Sequence, residues 1–145
     1  MKLRPSLTEF LEDMQKHYEL VLYTAAEKDY ANGVIRFIEG KNKIFAHKLY
    51  NAQCVQRKGE CVFKYLDVLC ENRDLKDIVI VDNCAQNYAL SIRNGVPIKS
   101  FRGEEGDQEL VFLANYLTML SMADDVRVCI KEDFASYLLE HCNVT

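Results

Sequence analysis

Two short apolar runs, each broken off by a polar residue, limit what this chain can fold into. Asp77-Ile78-Val79-Ile80-Val81-Asp82 is β-branched in its centre and ends in an acid followed by Asn83. Glu19-Leu20-Val21-Leu22-Tyr23 is bounded in the same way and ends at Thr24. Continuous rather than alternating hydrophobicity reads as a strand covered on both faces, the pattern of a parallel sheet. Around these runs the period becomes helical. Leu7, Phe10, Leu11, Met14 and Tyr18 follow Pro5 at helical spacing, and Tyr30, Val34, Phe37 and Ile38 repeat it until the chain stops around Gly40-Lys41-Asn42. A short helix is expected over 85–90, a strand at 96–98, and two closing helices over 107–122 and 125–139. Helix, strand, helix, strand, helix implies an α/β fold with a parallel sheet and helices on both faces. Residues 44–63 break the rhythm and are expected to form a small antiparallel β insert turning at Lys58-Gly59, followed by a short helix or turn over 64–70.

At 145 residues the chain is expected to be a single domain, 1–145, with a core that needs no staples. Its 49% hydrophobic and 28% charged residues exclude a disordered segment. A net charge of −4 with no like-charge block argues against nucleic acid as a partner but leaves room for a local basic pocket. No apolar run is long enough for a membrane span. The six cysteines at 54, 61, 70, 84, 129 and 142 show no C-x-x-C pair and read as reduced thiols, half-buried like small hydrophobes. Met1-Lys2-Leu3-Arg4-Pro5 has no apolar signal region, so the Asn143-Val144-Thr145 sequon is chance and the expected location is cytoplasm or nucleus.

Ligands of open parallel sheets gather at the carboxyl ends of the strands, and here those ends carry Thr24 and Asp82-Asn83. A phosphoryl site needs hard oxygen ligands for a metal, a cation for the phosphate and a hydroxyl donor. Asp82 and Asn83 supply the first, Lys64 the second and Thr24 the third. Each residue also has a plainer reading: Thr24 as a local cap, Lys64 as solvated surface, Asp82-Asn83 as a turn. Their coincidence at one sheet edge favours the phosphoryl reading.

The same residues carry a resemblance. Thr24 within Leu22-Tyr23-Thr24-Ala25-Ala26, Lys64, and Val81-Asp82-Asn83 resemble motifs two, three and four of the small carboxy-terminal-domain phosphatases, the NLI-interacting-factor-like branch of the haloacid dehalogenase superfamily. Further blocks agree in order: Arg4-Pro5 to Phe10-Leu11, Lys28-Asp29-Tyr30-Ala31, His47-Lys48-Leu49-Tyr50 through Cys54, Asn94-Gly95-Val96-Pro97-Ile98, Asp107-Gln108-Glu109-Leu110 and Asp124-Asp125-Val126-Arg127. Cys54-Val55-Gln56 and Ile130–Phe134 lean toward the small-phosphatase-like-2 and Dullard-like members.

The resemblance implies a haloacid-dehalogenase-like three-layer fold and Mg²⁺-dependent dephosphorylation of phosphoserine or phosphothreonine through an aspartyl-phosphate. It assigns Thr24 and Lys64 to the phosphate, Asp82 and Asn83 to the metal, and Tyr30 to the substrate peptide, with a phosphoprotein or phosphopeptide as partner. Tyr30 is equally an ordinary helix core residue by its spacing. Asn51 stands in the substrate region where a phosphate-binding arginine is common, which disfavours a doubly phosphorylated substrate.

The family's nucleophile and acid/base belong to a D-x-D-x-T motif on the first central strand. No two of this chain's aspartates are separated by one residue, and the chain begins at the helix that follows that strand. The expectation is therefore a phosphatase domain truncated before Met1 and lacking the first central strand, inactive as given, with Mg²⁺ held weakly or not at all. The alternative is a non-catalytic phosphopeptide-binding or scaffold protein, either a pseudophosphatase or a binding module like that of a mitochondrial import receptor. A receiver-like domain fails for want of an acidic cluster after a first strand.

Overall fold

The computed structural model describes residues 1–56 and 62–141. It contains α1 (Leu7–Met14), β1 (Val21–Tyr23), α2 (Lys28–Glu39), β2 (His47–Leu49), β3 (Cys54–Gln56), β4 (Val62–Lys64), β5 (Ile80–Asp82), β6 (Gly95–Pro97), α3 (Glu109–Leu120) and α4 (Val126–His141), joined in places by 3₁₀ turns. These elements fall into two compact units: Met1–Ala52 with Lys99–Met122, and Gln53–Ile98 with Ala123 onward.

In the first unit, α1 is a short amphipathic helix whose buried Leu11 and Met14 recur at its inner face. The expected helix to Tyr18 ends four residues early. Tyr18 instead donates its hydroxyl to the Leu117 carbonyl at 2.6 Å, and burial pushes its phenol up to about 12. α2 buries Ala31 and Ile35, which with Leu11 and Phe45 form the core beneath β1. Gly40 ends the helix at φ 56, a left-handed value that glycine adopts without steric cost. Glu39 then ties the exit: its Oε1 accepts from the amides of Ile44 and Phe45, each at 3.1 Å, and its Oε2 from Lys48 at 3.2 Å.

β2 corrects the reading of 44–63 as one antiparallel insert. It pairs parallel with β1, Val21 opposite His47 and Tyr23 opposite Leu49. The cause is α2 itself, since a strand that returns after a crossover helix lies parallel to the strand before it. Only β3 and β4 pair antiparallel, Cys54 opposite Lys64 and Gln56 opposite Val62. The expected turn at Lys58-Gly59 lies outside the described residues.

In the second unit, β5 pairs parallel with β6, Ile80 opposite Gly95 and Asp82 opposite Pro97. Leu66, Ile78, Ile80, Ala85 and Tyr88 form its core, with Tyr137 of α4 packed against it. The buried amide of Asn94 donates to the carbonyls of Leu75 and Ile78, at 2.7 and 2.8 Å, and so fastens the entry to β5. Gly95 lies against the Tyr88 ring, where a Cβ would collide with it. The helix expected over 85–90 is a run of 3₁₀ turns over Ala85–Asn94, interrupted at Tyr88 and Ser91. Cys54, Cys70, Cys84 and Cys129 are free thiols.

Candidate phosphoryl site

Lys64 closes β4 and Asp82 closes β5, so two strand ends of the second unit deliver an ammonium and a carboxylate to one point. Lys64 Nζ donates to Asp82 Oδ2 at 2.6 Å, with side chains 13% and 3% exposed. The reading of Lys64 as a solvated surface lysine is thereby excluded. Asp82 is held from two further directions: the Cys84 amide donates to Oδ1 at 2.9 Å, and Asn87 Nδ2 donates to both oxygens at 3.2 Å. The first of these is an Asx turn, so the turn reading of Asp82-Asn83 and its role in a charged site coexist. Asn83 is exposed just beyond the strand. Asn87 was not singled out from sequence. The available signal was an amide one short turn beyond a strand-end acid that needs more donor partners than one lysine supplies.

The donor set decides how Mg²⁺ fits. A carboxylate offers about four lone-pair sites, and four N–H contacts already meet the two oxygens of Asp82. Among the described residues no cluster of three or more His, Cys, Asp or Glu could hold a metal ion. Asp82 and Asn83 alone therefore do not fit a cation that requires six oxygens.

In the first unit, the parallel pairing of β1 and β2 puts Thr24 and Asn51 beyond the carboxyl ends of adjacent strands. The Thr24 amide donates to the Leu49 carbonyl at 3.0 Å, and the Asn51 amide to the Ala26 carbonyl at 3.1 Å. Thr24 Oγ1 accepts from the Ala26 amide at 3.1 Å, a local turn bond. Tyr30 sits in the first turn of α2 and is 72% exposed, which overturns its reading as a core residue. In the same unit, Tyr50 donates to Asn32 Oδ1 at 2.6 Å and carries the Lys28 ammonium over its ring.

Two of the sequence blocks are joined in this unit. Arg4 donates through Nε and Nη2 to the two oxygens of Asp107, at 2.8 and 2.9 Å, and through Nη1 to the Lys99 carbonyl at 2.7 Å. In the second unit Arg127 makes the equivalent fork on Asp125, at 3.0 and 2.9 Å.

Parallel strand pairs among helices, with polar residues at their carboxyl ends, fit an α/β fold of the haloacid-dehalogenase type. Its structural likeness agrees: the solved structure of Fcp1, described as an essential RNA polymerase II CTD phosphatase, superposes with a TM-score of 0.59 at 21% identity, over 96% of this chain and 48% of that one. Residues 1–127 match the model of the NLI interacting factor-like phosphatases, and the chain belongs to that family. The CTD small phosphatase-like protein 2 of Dictyostelium discoideum is 38% identical over 138 residues, and Phosphatase Herzog of Drosophila melanogaster 38% over 123. These matches cover 95% and 85% of this chain but only 24% and 34% of those proteins, so the chain spans about a quarter to a third of their length. Among the described residues no helix is long and apolar enough to cross a membrane.

Proposed function

We propose that these residues form the phosphate-holding part of a protein-serine/threonine phosphatase domain. The observation that carries this reading is the buried Lys64–Asp82 pair at the carboxyl ends of β4 and β5. Lys64 supplies the positive charge that a transferring phosphoryl group needs, and Asp82 with Asn87 fixes where that charge stands. The Thr24 hydroxyl donates to a phosphate oxygen. Tyr30 and Asn51 contact the phosphopeptide around the phosphorylated residue. Bound Mg²⁺ would offset phosphoryl charge in such a domain. Its hard ligands must include carboxylates beyond Asp82, and a D-x-D-x-T strand provides them together with the nucleophile.

The test compares the 145 residues alone with the same residues joined to an N-terminal D-x-D-x-T strand, using a generic aryl phosphate and a phosphoserine peptide. Alone, the chain gives no turnover above a buffer blank. Joined, it hydrolyses both substrates, and Lys64→Ala lowers kcat/KM by about 10²-fold or more while Thr24→Ala lowers it less. Turnover by the unextended chain sinks the assignment. A folded, extended chain that binds the phosphopeptide without hydrolysing it favours the non-catalytic binding module.

A further inference from the structure

α2 presents two aromatic side chains to solvent along one line. Tyr30 and Phe37 lie two turns apart and are 72% and 59% exposed, turned away from the face that buries Ala31 and Ile35. Between them stands Gly33, where an added Cβ would meet nothing within 4 Å. Glycine inside a helix is unfavourable, and no packing among the described residues calls for it here, so the gap suits the close approach of another chain. The helix then runs into charge. Residues 36–48 carry the cations Arg36, Lys41, Lys43 and Lys48 against the single carboxylate of Glu39, in a chain of net charge −4. Lys48 is engaged by Glu39 at 3.2 Å, whereas Arg36, Lys41 and Lys43 are exposed and make no ion pair among the described residues. The helix dipole favours a cation in the last turn, which Arg36 supplies. It does not call for two aromatic rings in solvent beside that cation.

We propose that this face of α2 selects the substrate by taking an acidic segment of the phosphopeptide. One apolar side chain of the peptide lodges over Gly33 between Tyr30 and Phe37, and its Asp or Glu side chains lie beside Arg36, Lys41 and Lys43. In that role Gly33, Phe37 and the three cations are specificity-determining residues, given the phosphatase reading of Thr24 on which this rests. Thr24 follows β1 and α2 begins at Lys28, so the phosphate-side residue and the start of this face belong to one connection of the first unit. The rise from Tyr30 to Phe37 is about 10.5 Å, which an extended peptide covers in about three residues. The face therefore reads a phosphorylated residue, then an apolar one, then acidic ones within the next few positions. Carboxylates of the peptide supply the counter-charge that Glu39, already engaged, does not.

The test is fluorescence anisotropy of labelled peptides with the full 145-residue chain. Each peptide carries phosphoserine, a leucine and a run of glutamates, made in both chain directions. One direction is expected to bind, and replacing its glutamates by lysine or its leucine by glycine weakens binding several-fold. Arg36→Glu/Lys41→Glu weakens the acidic peptide several-fold and flattens its salt dependence, but leaves a peptide with alanines for the glutamates unchanged. Phe37→Ala, and Gly33→Leu, which fills the gap with a better helix former, weaken the leucine peptide more than its glycine counterpart. Circular dichroism spectra of all variants match the parent. Binding that needs the phosphate but ignores Gly33, Phe37 and the glutamates overturns the proposal and leaves the phosphate site standing. Binding that responds to those residues equally without the phosphate overturns the reading of Thr24 and keeps α2 as an acidic-peptide face. Failure of both directions to bind overturns the proposal. So does a face that joins two copies instead, seen as a mass above 16.8 kDa that falls on Phe37→Ala.

Discussion

Lys64 Nζ stands 2.6 Å from Asp82 Oδ2, and neither side chain keeps more than a small fraction of its surface in water. A pair so withdrawn costs most when only one partner is removed, because the other charge stays buried and unpaired. Lys64→Ala is expected to destabilise the chain by about 3–5 kcal/mol. Lys64→Met/Asp82→Asn should cost less than the sum of the two single changes. Urea unfolding of the parent, Lys64→Ala, Lys64→Met, Asp82→Asn and the double variant measures both. Additive losses would show that the two groups do not act as a pair.

Asp82 meets Mg²⁺ with its oxygens already engaged by Lys64, Cys84 and Asn87. Millimolar Mg²⁺ should therefore leave the melting temperature of these 145 residues unchanged, since only a ligand that binds the folded state raises it. The same chain joined to a D-x-D-x-T strand should melt higher with the ion than without. A Mg²⁺-dependent rise in the unextended chain would reveal oxygen ligands that Asp82 and Asn83 do not account for.

Gly95 allows β6 to lie against the Tyr88 ring, which is fully buried. Gly95→Ala places a methyl where the ring already is. The expected loss is about 1–3 kcal/mol, with more if the strand shifts off β5. Gly33, whose added Cβ would meet nothing within 4 Å, is the control. Gly33→Ala, in the interior of α2, should stabilise by about 0.5–1 kcal/mol. Equal effects at the two positions would remove the packing explanation.

Three carboxyls give the fold an acid limit. The Arg4 fork holds Asp107 below its ordinary value against the opposing effect of burial, and the Arg127 fork does the same at Asp125. At Glu39 burial pushes upward, but the amides of Phe45 and Ile44 with Lys48 outweigh it and the net direction is down. A carboxyl lowered on folding contributes its stability in full above its unfolded value, about 4, and loses it as pH falls through the lower folded value. Urea midpoints should therefore hold steady in this respect from neutral pH to about 5 and fall below about 4. Arg4→Gln should lower the neutral-pH midpoint and flatten the acid decline. A variant that declines as steeply as the parent would place the acid sensitivity elsewhere.

The sequence by itself determined the kinds of element and where their chemistry lies. Apolar runs at 20–23 and 78–81 became β1 and β5, helical periods became α1 to α4, and the polar residues expected at strand ends stand there. Ordered blocks from Arg4 to Arg127 were enough for the family. All of this is local information, carried by spacing and by which residue follows which. Tertiary structure decided the pairings. That His47–Leu49 lies parallel to β1 follows from the crossover of α2, since a three-residue strand has no period from which to read its partner. Arg4 finds Asp107 at a separation of 103 residues, and Asn87 finds both oxygens of Asp82, only because the cores bring those backbones together. Periodicity marks one face of a helix as apolar without saying which face is covered. Tyr30 and Phe37 share the period of Val34 and Ile38 in α2 yet stand in solvent, and Phe112 and Met119 stand outside on a helix that looks like core along its whole length. Coverage depends on what packs opposite, and that is set by the whole chain.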